Sequence, residues 1–187
     1  MTMFKRAILF ILPGLMMTAA AAMAADQSSV TTVDNKTVQL DKKFAGLLRG
    51  VQKHGVTVVY PTFIPAKFSL KKVVISGDDA QHPDYALFFR GKGHHTLTVE
   101  TAYTGIGDGP TGDKTLTGQS KVFGKFDIYV FKPHSEGNDT NDIYYLSDWL
   151  ATIKKTSKDT KRHYHFYATG IKDADAIAMV KSLTPIK

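Results

Sequence analysis

The sequence predicts an α+β fold: a mainly antiparallel sheet of about six or seven strands, with a C-terminal helix packed on one face and a short N-terminal helix. Short runs of aromatic and β-branched residues, separated by turn residues, follow one another between residues 68 and 169. The segment 173–184 then places apolar residues at helical spacing and is followed by Pro185. The sequence shows no fixed-period repeat and no break in composition, so we expect one domain over residues 41–187.

The first 25 residues have the pattern of a secretory signal peptide. Two basic residues precede the apolar run 7–17, and small residues surround Ala24. We expect cleavage after Ala24 or Ala25, a flexible polar lead-in over residues 26–40, and a periplasmic or secreted mature protein. No later stretch approaches the roughly 20 apolar residues of a membrane-spanning helix, so we expect a chain that does not span the membrane.

The composition excludes several classes of chemistry. The chain has 24 Lys and Arg against 17 Asp and Glu, seven His and no Cys. Without Cys the sequence can supply no thiol nucleophile, thiolate zinc site, disulfide or lipidated-Cys anchor, so we expect a packed core to supply the stability. The positive excess is too small in an exported chain to indicate a nucleic-acid partner.

The first predicted element is a helix that begins at an Asp41 cap and ends at Gly55, with one apolar face: Phe44, Leu47, Leu48 and Val51. Two prolines, Pro61 and Pro65, predict that no regular strand pairing forms after it. Strands are then predicted at 68–76, 85–90, 95–103, 121–123, 126–132, 143–149 and 163–169.

Alternation along the strands predicts one apolar sheet face and one wet face. The apolar side is assigned His95, Leu97, Val99, Thr101, Tyr164, Phe166 and Ala168, and the wet side His94, Thr96, Thr98, Glu100, His163, His165 and Tyr167. A C-terminal helix with an Asp173 cap is expected to cover the apolar face with Ala176, Ile177, Val180 and Leu183, and to end at Pro185.

Three motifs resemble known sites but lack the required context. Residues 107–112 have the glycine spacing of a dinucleotide fingerprint, yet the β pattern of 116–123 follows instead of a helix, so we expect a wide loop at 105–113. Residues 69–72 match Ser-x-x-Lys only inside a predicted strand. The acidic loop 136–142 lacks the ordered ligands of a calcium loop and is expected to be a solvated turn. We assign no catalytic, cofactor-binding or metal-binding residue.

The histidines are the one constellation that points to a site. His163 and His165 lie two apart on a predicted strand, so their side chains point the same way, about 7 Å apart. If the strand from His94 to Glu100 were adjacent, those two residues would add imidazole and carboxylate ligands suited to zinc or copper. Solvated strand histidines are the commoner outcome.

Two surface features point to partners in the cell envelope. A predicted hairpin over residues 154–163 carries a net positive charge from five basic residues: Lys154, Lys155, Lys158, Lys161 and Arg162. It could contact anionic lipid, lipopolysaccharide or wall polymer, although a solvated hairpin is the simpler interpretation. Tyr144, Tyr145 and Trp149 are expected in the core and on the sheet surface, with a groove that stacks a sugar or acyl chain as the alternative.

Three segments carry a family resemblance: 60–70 (YPTFIPAKFSL), 105–109 (GIGDG), and the strand that runs through Gly170 into the helix 173–183. Together they resemble uncharacterised exported bacterial domains that begin with a Pro-aromatic-apolar-Pro segment, continue as an antiparallel sheet and finish with a helix. Similar modules occur at the C-termini of anti-sigma-factor and outer-membrane-lipoprotein-carrier-like proteins. The resemblance covers residues 56–184 and implies a fold and an envelope location, with no catalytic residues to transfer.

The function expected from the sequence is therefore a non-enzymatic binding or regulatory module of the envelope, with an envelope protein, anionic lipid or wall polymer as its partner. The alternative is a metal-binding or metal-dependent hydrolytic protein that uses His94, His163 and His165. A purely structural subunit of a larger complex is the third hypothesis.

We predict that the mature protein begins at Ala25 or Asp26, because the small residues around Ala24 match the site that signal peptidases cut. Mass spectrometry of the N-terminal peptide from the exported fraction measures this directly. An intact Met1 on cytosolic protein would show that residues 1–25 are not a cleaved signal.

Overall fold

The computed structural model describes residues 40–77, 81–103, 111–154 and 162–186. The predicted signal peptide, the lead-in over 26–39, most of the glycine-rich loop and residues 155–161 of the basic hairpin lie outside these ranges. Within the described part of the chain, no helix has the length and apolar character needed to cross a membrane.

The fold is α+β, as predicted, with a seven-stranded antiparallel sheet and a second sheet of two short strands. Both the C-terminal helix and a short helix near the N-terminal end are present. In chain order the elements are α1 (Lys42–Lys53), β1 (Val59–Pro61), β2 (Ser69–Ser76), β3 (Asp84–Arg90), β4 (Thr96–Ala102), β5 (Lys114–Ser120), β6 (Gly124–Phe131), β7 (Tyr144–Ser147), β8 (His163–Thr169), α2 (Asp173–Ser182) and β9 (Leu183–Pro185).

The large sheet has the strand order β2-β3-β4-β8-β7-β6-β5. It consists of two antiparallel meanders, β2 to β4 and β5 to β8, that meet where β4 pairs with β8. The chain therefore leaves the centre of the sheet after β4, starts again at the far edge with β5, and returns strand by strand to the centre.

The predicted face assignment is confirmed along β8, and along β4 except that Thr98, assigned to the wet face, is 2% exposed. Leu97, Val99, Tyr164 and Phe166 are buried in the core, and every second residue of β8 is partly exposed. Both helices contribute to this core, through Leu48 and Val51 of α1 and through Ala176, Met179 and Val180 of α2. The opposite surface, on which Glu100, His165 and Tyr167 lie, is named the open face below.

Helix α1 follows the prediction closely. Asp41 is its N-cap, and the Asp41 carboxylate accepts a hydrogen bond of 2.8 Å from the Lys43 amide. Gly55, with φ of 82°, follows the last turn in the left-handed conformation that glycine adopts without strain. Leu48 and Val51 are buried, whereas Leu47, expected on the same face, is exposed.

The prediction that the two prolines prevent strand pairing is wrong at Pro61. Strand β1 pairs antiparallel with β9, and Pro61 lies opposite Leu183 at the end of the ladder. Proline is tolerated there because a terminal position of a two-stranded sheet does not require its missing N–H. On its other side β1 is held by Tyr85, whose hydroxyl accepts from the Val59 amide at 2.7 Å and donates to the Val59 carbonyl at 3.0 Å.

The strand predicted at 121–123 is also wrong. These residues form the turn between β5 and β6, and the strand lies before them, at Lys114–Ser120. Gly118 lowers the β-propensity of this strand and so obscured it in the sequence. A Cβ at Gly118 would lie 2.2 Å from the ring of Phe126, which is directly opposite, so the position needs glycine. The β interpretation of the segment after the glycine-rich loop is confirmed, and no helix follows that loop.

Helix α2 differs from the prediction at both ends. Its N-cap is Lys172 instead of Asp173, and it ends at Ser182, two residues before the expected end. The Ser182 hydroxyl donates to the Met179 carbonyl at 2.8 Å, and the Ser182 carbonyl accepts from the Thr62 amide at 3.1 Å, so the chain leaves the helix to form β9. Met179 is buried with Ala176 and Val180, whereas Ile177 is only partly buried.

The Val180→Asp substitution should destabilise the fold by about 3 kcal/mol or more, because it places an unpaired carboxylate at a side chain that is 0% exposed. Lys181→Asp is the matched control: the same residue is introduced at an exposed neighbour, where we expect a cost of about 1 kcal/mol or less. Urea unfolding of the parent and both variants gives the two differences. Equal midpoints for both variants would show that α2 is peripheral to the core.

Candidate functional site

The register of the central strands brings a set of polar and aromatic side chains together on the open face. Glu100 on β4 lies opposite His165 on β8, and Thr98 lies opposite Tyr167. The residue opposite Tyr167 on the other side is Leu146 of β7. Because residues directly opposite each other in an antiparallel pair point to the same face, these side chains are neighbours on one surface.

Four aromatic rings run across this surface and are named the aromatic ledge: Tyr144, Trp149, His165 and Tyr167. The Trp149 ring stacks on the His165 ring, with centroids 4.4 Å apart and planes inclined by 21°. Tyr167 lies 6.2 Å from His165 and 6.4 Å from Tyr144 between ring centroids. All four side chains are partly exposed, so the ledge presents aromatic surface to solvent.

The backbone beside Trp149 is fixed by two interactions. Leu150, the next residue, pairs with Tyr164 through two hydrogen bonds of 2.8 Å. The Asp148 amide donates to the Asp127 carbonyl at 2.9 Å. Trp149 is therefore attached to the sheet on both sides even though β7 ends at Ser147, which accounts for the position of its ring at the end of the ledge.

Glu100 supplies the charge at the centre of the ledge. Its Oε1 lies 3.7 Å from Nδ1 of His165, and its side chain is 33% exposed. Burial raises the pKa of the Tyr167 phenol, and the negative charge of Glu100 raises it further. Burial also raises the pKa of Tyr144, with further contributions from Tyr167 and Glu100. Both phenols are neutral hydrogen-bond donors at physiological pH.

A small polar cavity of about 130 Å³ lies next to the ledge. Trp149 forms part of its wall together with three charged residues: Lys125, Asp127 and Asp148. The surface thus combines flat aromatic rings with carboxylates, an ammonium group and phenols. This combination can stack against a ligand and exchange hydrogen bonds with its hydroxyl or amide groups.

The structure brings together only part of the histidine set suggested by the sequence. Strand β4 is adjacent to β8, and Glu100 is next to His165, as that hypothesis required. His163 lies opposite Ala102, however, so the antiparallel register places His94 beyond the other end of the paired segment. The six-residue step from His94 to Glu100 corresponds to about 20 Å along a strand. His94, His163 and His165 therefore do not form one site.

The assignment of His94 and His95 to opposite strand faces is also wrong, because β4 begins only at Thr96. Both residues belong to the end of the β3–β4 turn, and both approach Asp142. Nε2 of His94 lies 2.6 Å from Oδ2 of Asp142, and Nε2 of His95 lies 3.7 Å from Oδ1. His94, His95 and Asp142 are named the His–Asp cluster below.

The His–Asp cluster could not be predicted from the sequence, because Asp142 belongs to the acidic loop, whose pattern is that of a solvated turn. The loop is more ordered than that: Asn138 is 4% exposed, and its Nδ2 donates to the carbonyls of Lys132 at 3.0 Å and Asp142 at 2.7 Å. No local spacing links Asp142 to His94, since they meet only through the sheet topology. The adjacent histidines in a Gly-rich turn were the one available signal.

One further prediction needs correction. Arg162, expected on the solvated basic hairpin, is 2% exposed and forms an ion pair with Asp84. It also donates to Thr101 Oγ1 at 3.2 Å, so it acts as part of the core boundary. The aromatic residues divide between the core and the sheet surface, as expected: Tyr145 is buried on the core side, where its hydroxyl donates to Asp173 at 3.0 Å, and Tyr144 and Trp149 lie on the open face. Lys154 is exposed, and residues 155–161 lie outside the described ranges.

The Glu100→Gln substitution should lower the pKa of Tyr167, because the negative charge that disfavours the phenolate is removed. Burial remains, so the pKa should stay above its ordinary value. An alkaline titration followed by NMR of labelled tyrosine Cζ carbons, assigned with Tyr167→Phe, measures the change. Glu136→Gln, at an exposed loop residue, is the control. An equal change of the Tyr167 pKa in both variants, or no change in Glu100→Gln, would contradict the interaction between Glu100 and Tyr167.

Comparison with protein-family models, curated proteins and solved structures gives no match to this chain. The resemblance to exported envelope domains therefore stays a prediction from the three segments that carry it.

Proposed function

We propose that this chain is an exported, non-enzymatic binding module of the cell envelope, and that the open face binds a glycan of the cell wall. The observation that carries the proposal is the aromatic ledge, with the Trp149 ring stacked on His165 and still partly exposed. A group of partly exposed rings on a sheet surface is costly to leave in water and favours a ligand that covers it.

The chemistry of the open face fits a sugar polymer better than the other partners expected from the sequence. A pyranose ring has one apolar face that can stack on an aromatic ring, and hydroxyl and amide groups around its edge. Glu100 and Asp127 offer carboxylate acceptors beside the rings, and the neutral Tyr167 phenol offers a donor.

An acyl chain would need a deep apolar cavity, whereas the cavity beside Trp149 is small and bordered by charged residues. Anionic lipid would be attracted by the basic hairpin, of which the structure describes Lys154 and Arg162, and Arg162 is buried in an ion pair. The glycan is therefore the partner that the described residues favour, and lipid or protein binding becomes an alternative result of the tests.

The single tryptophan makes the proposal directly measurable, because all indole fluorescence comes from the ledge. We expect oligomers of β-1,4-linked N-acetylglucosamine to change the emission of the mature protein saturably. The Trp149→Ala and Tyr167→Ala variants should lose about tenfold in affinity in a calorimetric titration, since each removes one stacking contact. Leu47→Ala is the control. It removes an exposed apolar side chain from α1, which does not belong to the open face, so this variant should bind like the parent.

Sedimentation with purified wall material tests the same surface with the natural polymer. Parent and Leu47→Ala should pellet with the wall, and Trp149→Ala should remain in the supernatant. If the parent fails to bind both the oligomers and the wall, the glycan proposal is wrong. If it binds vesicles of anionic lipid instead, and changing Lys154, Lys155, Lys158 and Lys161 together to Gln abolishes this, the basic hairpin is the binding surface.

A further inference from the structure

We propose that the His–Asp cluster binds one divalent transition-metal cation, with Zn²⁺ as the reference ion. The site consists of His94, His95 and Asp142, whose ligand atoms all lie within 4.8 Å of one another. It shares no residue with the aromatic ledge and differs from the histidine set that the sequence suggested, so it stands whether or not the open face binds a glycan.

The geometry is close to that of a bound metal. In a tetrahedral zinc site with bonds of about 2.0–2.2 Å, neighbouring ligand atoms lie about 3.3 Å apart. Here Nε2 of His94 is 2.6 Å from one oxygen of Asp142, and Nε2 of His95 is 3.7 Å from the other. Small rotations of the side chains, of which only His94 is fully exposed, would make the two distances equal, with the metal replacing the direct contact between His94 and Asp142.

Two features outside the three ligands hold the cluster in place. The first is Asn138, which donates to the Asp142 carbonyl and, through Oδ1, accepts from the Thr140 amide at 3.1 Å. These bonds fix the loop that carries Asp142. A buried side-chain amide that spans a loop in this way reduces the conformational freedom that binding a cation would otherwise have to remove.

The second feature is Gly170, which follows β8 with φ of 70°. A Cβ at this position would lie 2.0 Å from Cγ of His95, so only glycine leaves room for the imidazole where it lies. Three segments thus form the cluster. The β3–β4 turn contributes the two imidazoles, the β6–β7 loop contributes the carboxylate, and the glycine after β8 leaves space for the His95 ring.

The donor set selects the class of metal. Two imidazole nitrogens and one carboxylate oxygen suit Zn²⁺ or Cu²⁺, whereas Ca²⁺ and Mg²⁺ prefer sites built from oxygen alone. Three protein ligands leave a fourth position for water or for a group from a partner. The His94 side chain is 78% exposed, which gives the ion direct access from solvent.

Isothermal titration of untagged mature protein with ZnCl₂ at pH 7.5 tests the proposal. We expect one equivalent to bind, with about tenfold or greater loss of affinity in both His94→Gln and Asp142→Asn. The matched control is the double variant His163→Gln/His165→Gln, which removes the other closely spaced histidine pair and should bind zinc like the parent. Circular dichroism of every variant establishes that it is folded.

The proposal is wrong if the parent binds no stoichiometric zinc, or if folded His94→Gln and Asp142→Asn bind as tightly as the parent. It is also wrong if the His163/His165 double variant is the one that loses binding. Absorption of the Co²⁺-loaded protein gives a second measurement: d–d bands that are present in the parent and the control and absent from Asp142→Asn support the assigned carboxylate ligand.

Discussion

The pairing of β4 with β8 is the constraint on which the rest of the structure depends. It joins strands about 70 residues apart in sequence and is the connection between the two meanders of the sheet. Arg162, immediately before β8, reinforces it by reaching across to Asp84 at the start of β3. Desolvation of the buried guanidinium offsets much of the attraction in such an ion pair, whereas removing one partner would leave an uncompensated buried charge.

Both surfaces proposed as binding sites follow from this register. Because side chains alternate between the two faces of a strand, a shift of one residue in β8 would move Phe166 out of the core and His165 into it. The register that buries Phe166 therefore also places His165 beside Glu100 and Tyr167 beside Thr98. The same pairing brings Gly170, just past β8, against His95, just before β4. Core packing thus positions side chains that take no part in the core.

The sequence was sufficient for those features that depend on local periodicity. The α+β class, the Asp41 cap and the faces of β8 follow from spacing alone. Features that depend on contacts between different elements could not be predicted from the sequence. Gly118 is explained only by the Phe126 ring across the β5–β6 pair, and the end of α2 is explained only by the hydrogen bond from Thr62 to Ser182. The contact between His94 and Asp142 belongs to the same group, since it joins two loops that no spacing rule relates.

The edge strand β2 has a consequence for the behaviour of the protein at high concentration. The ladder between β2 and β3 is interrupted between Leu70 and Lys72, and Lys71 and Lys72 are both exposed. A bulge next to two positive charges makes the outer side of β2 a poor template for a strand from another molecule. At high protein concentration, where a regular sheet edge can pair with a neighbouring molecule, this irregularity disfavours edge-to-edge association through β2.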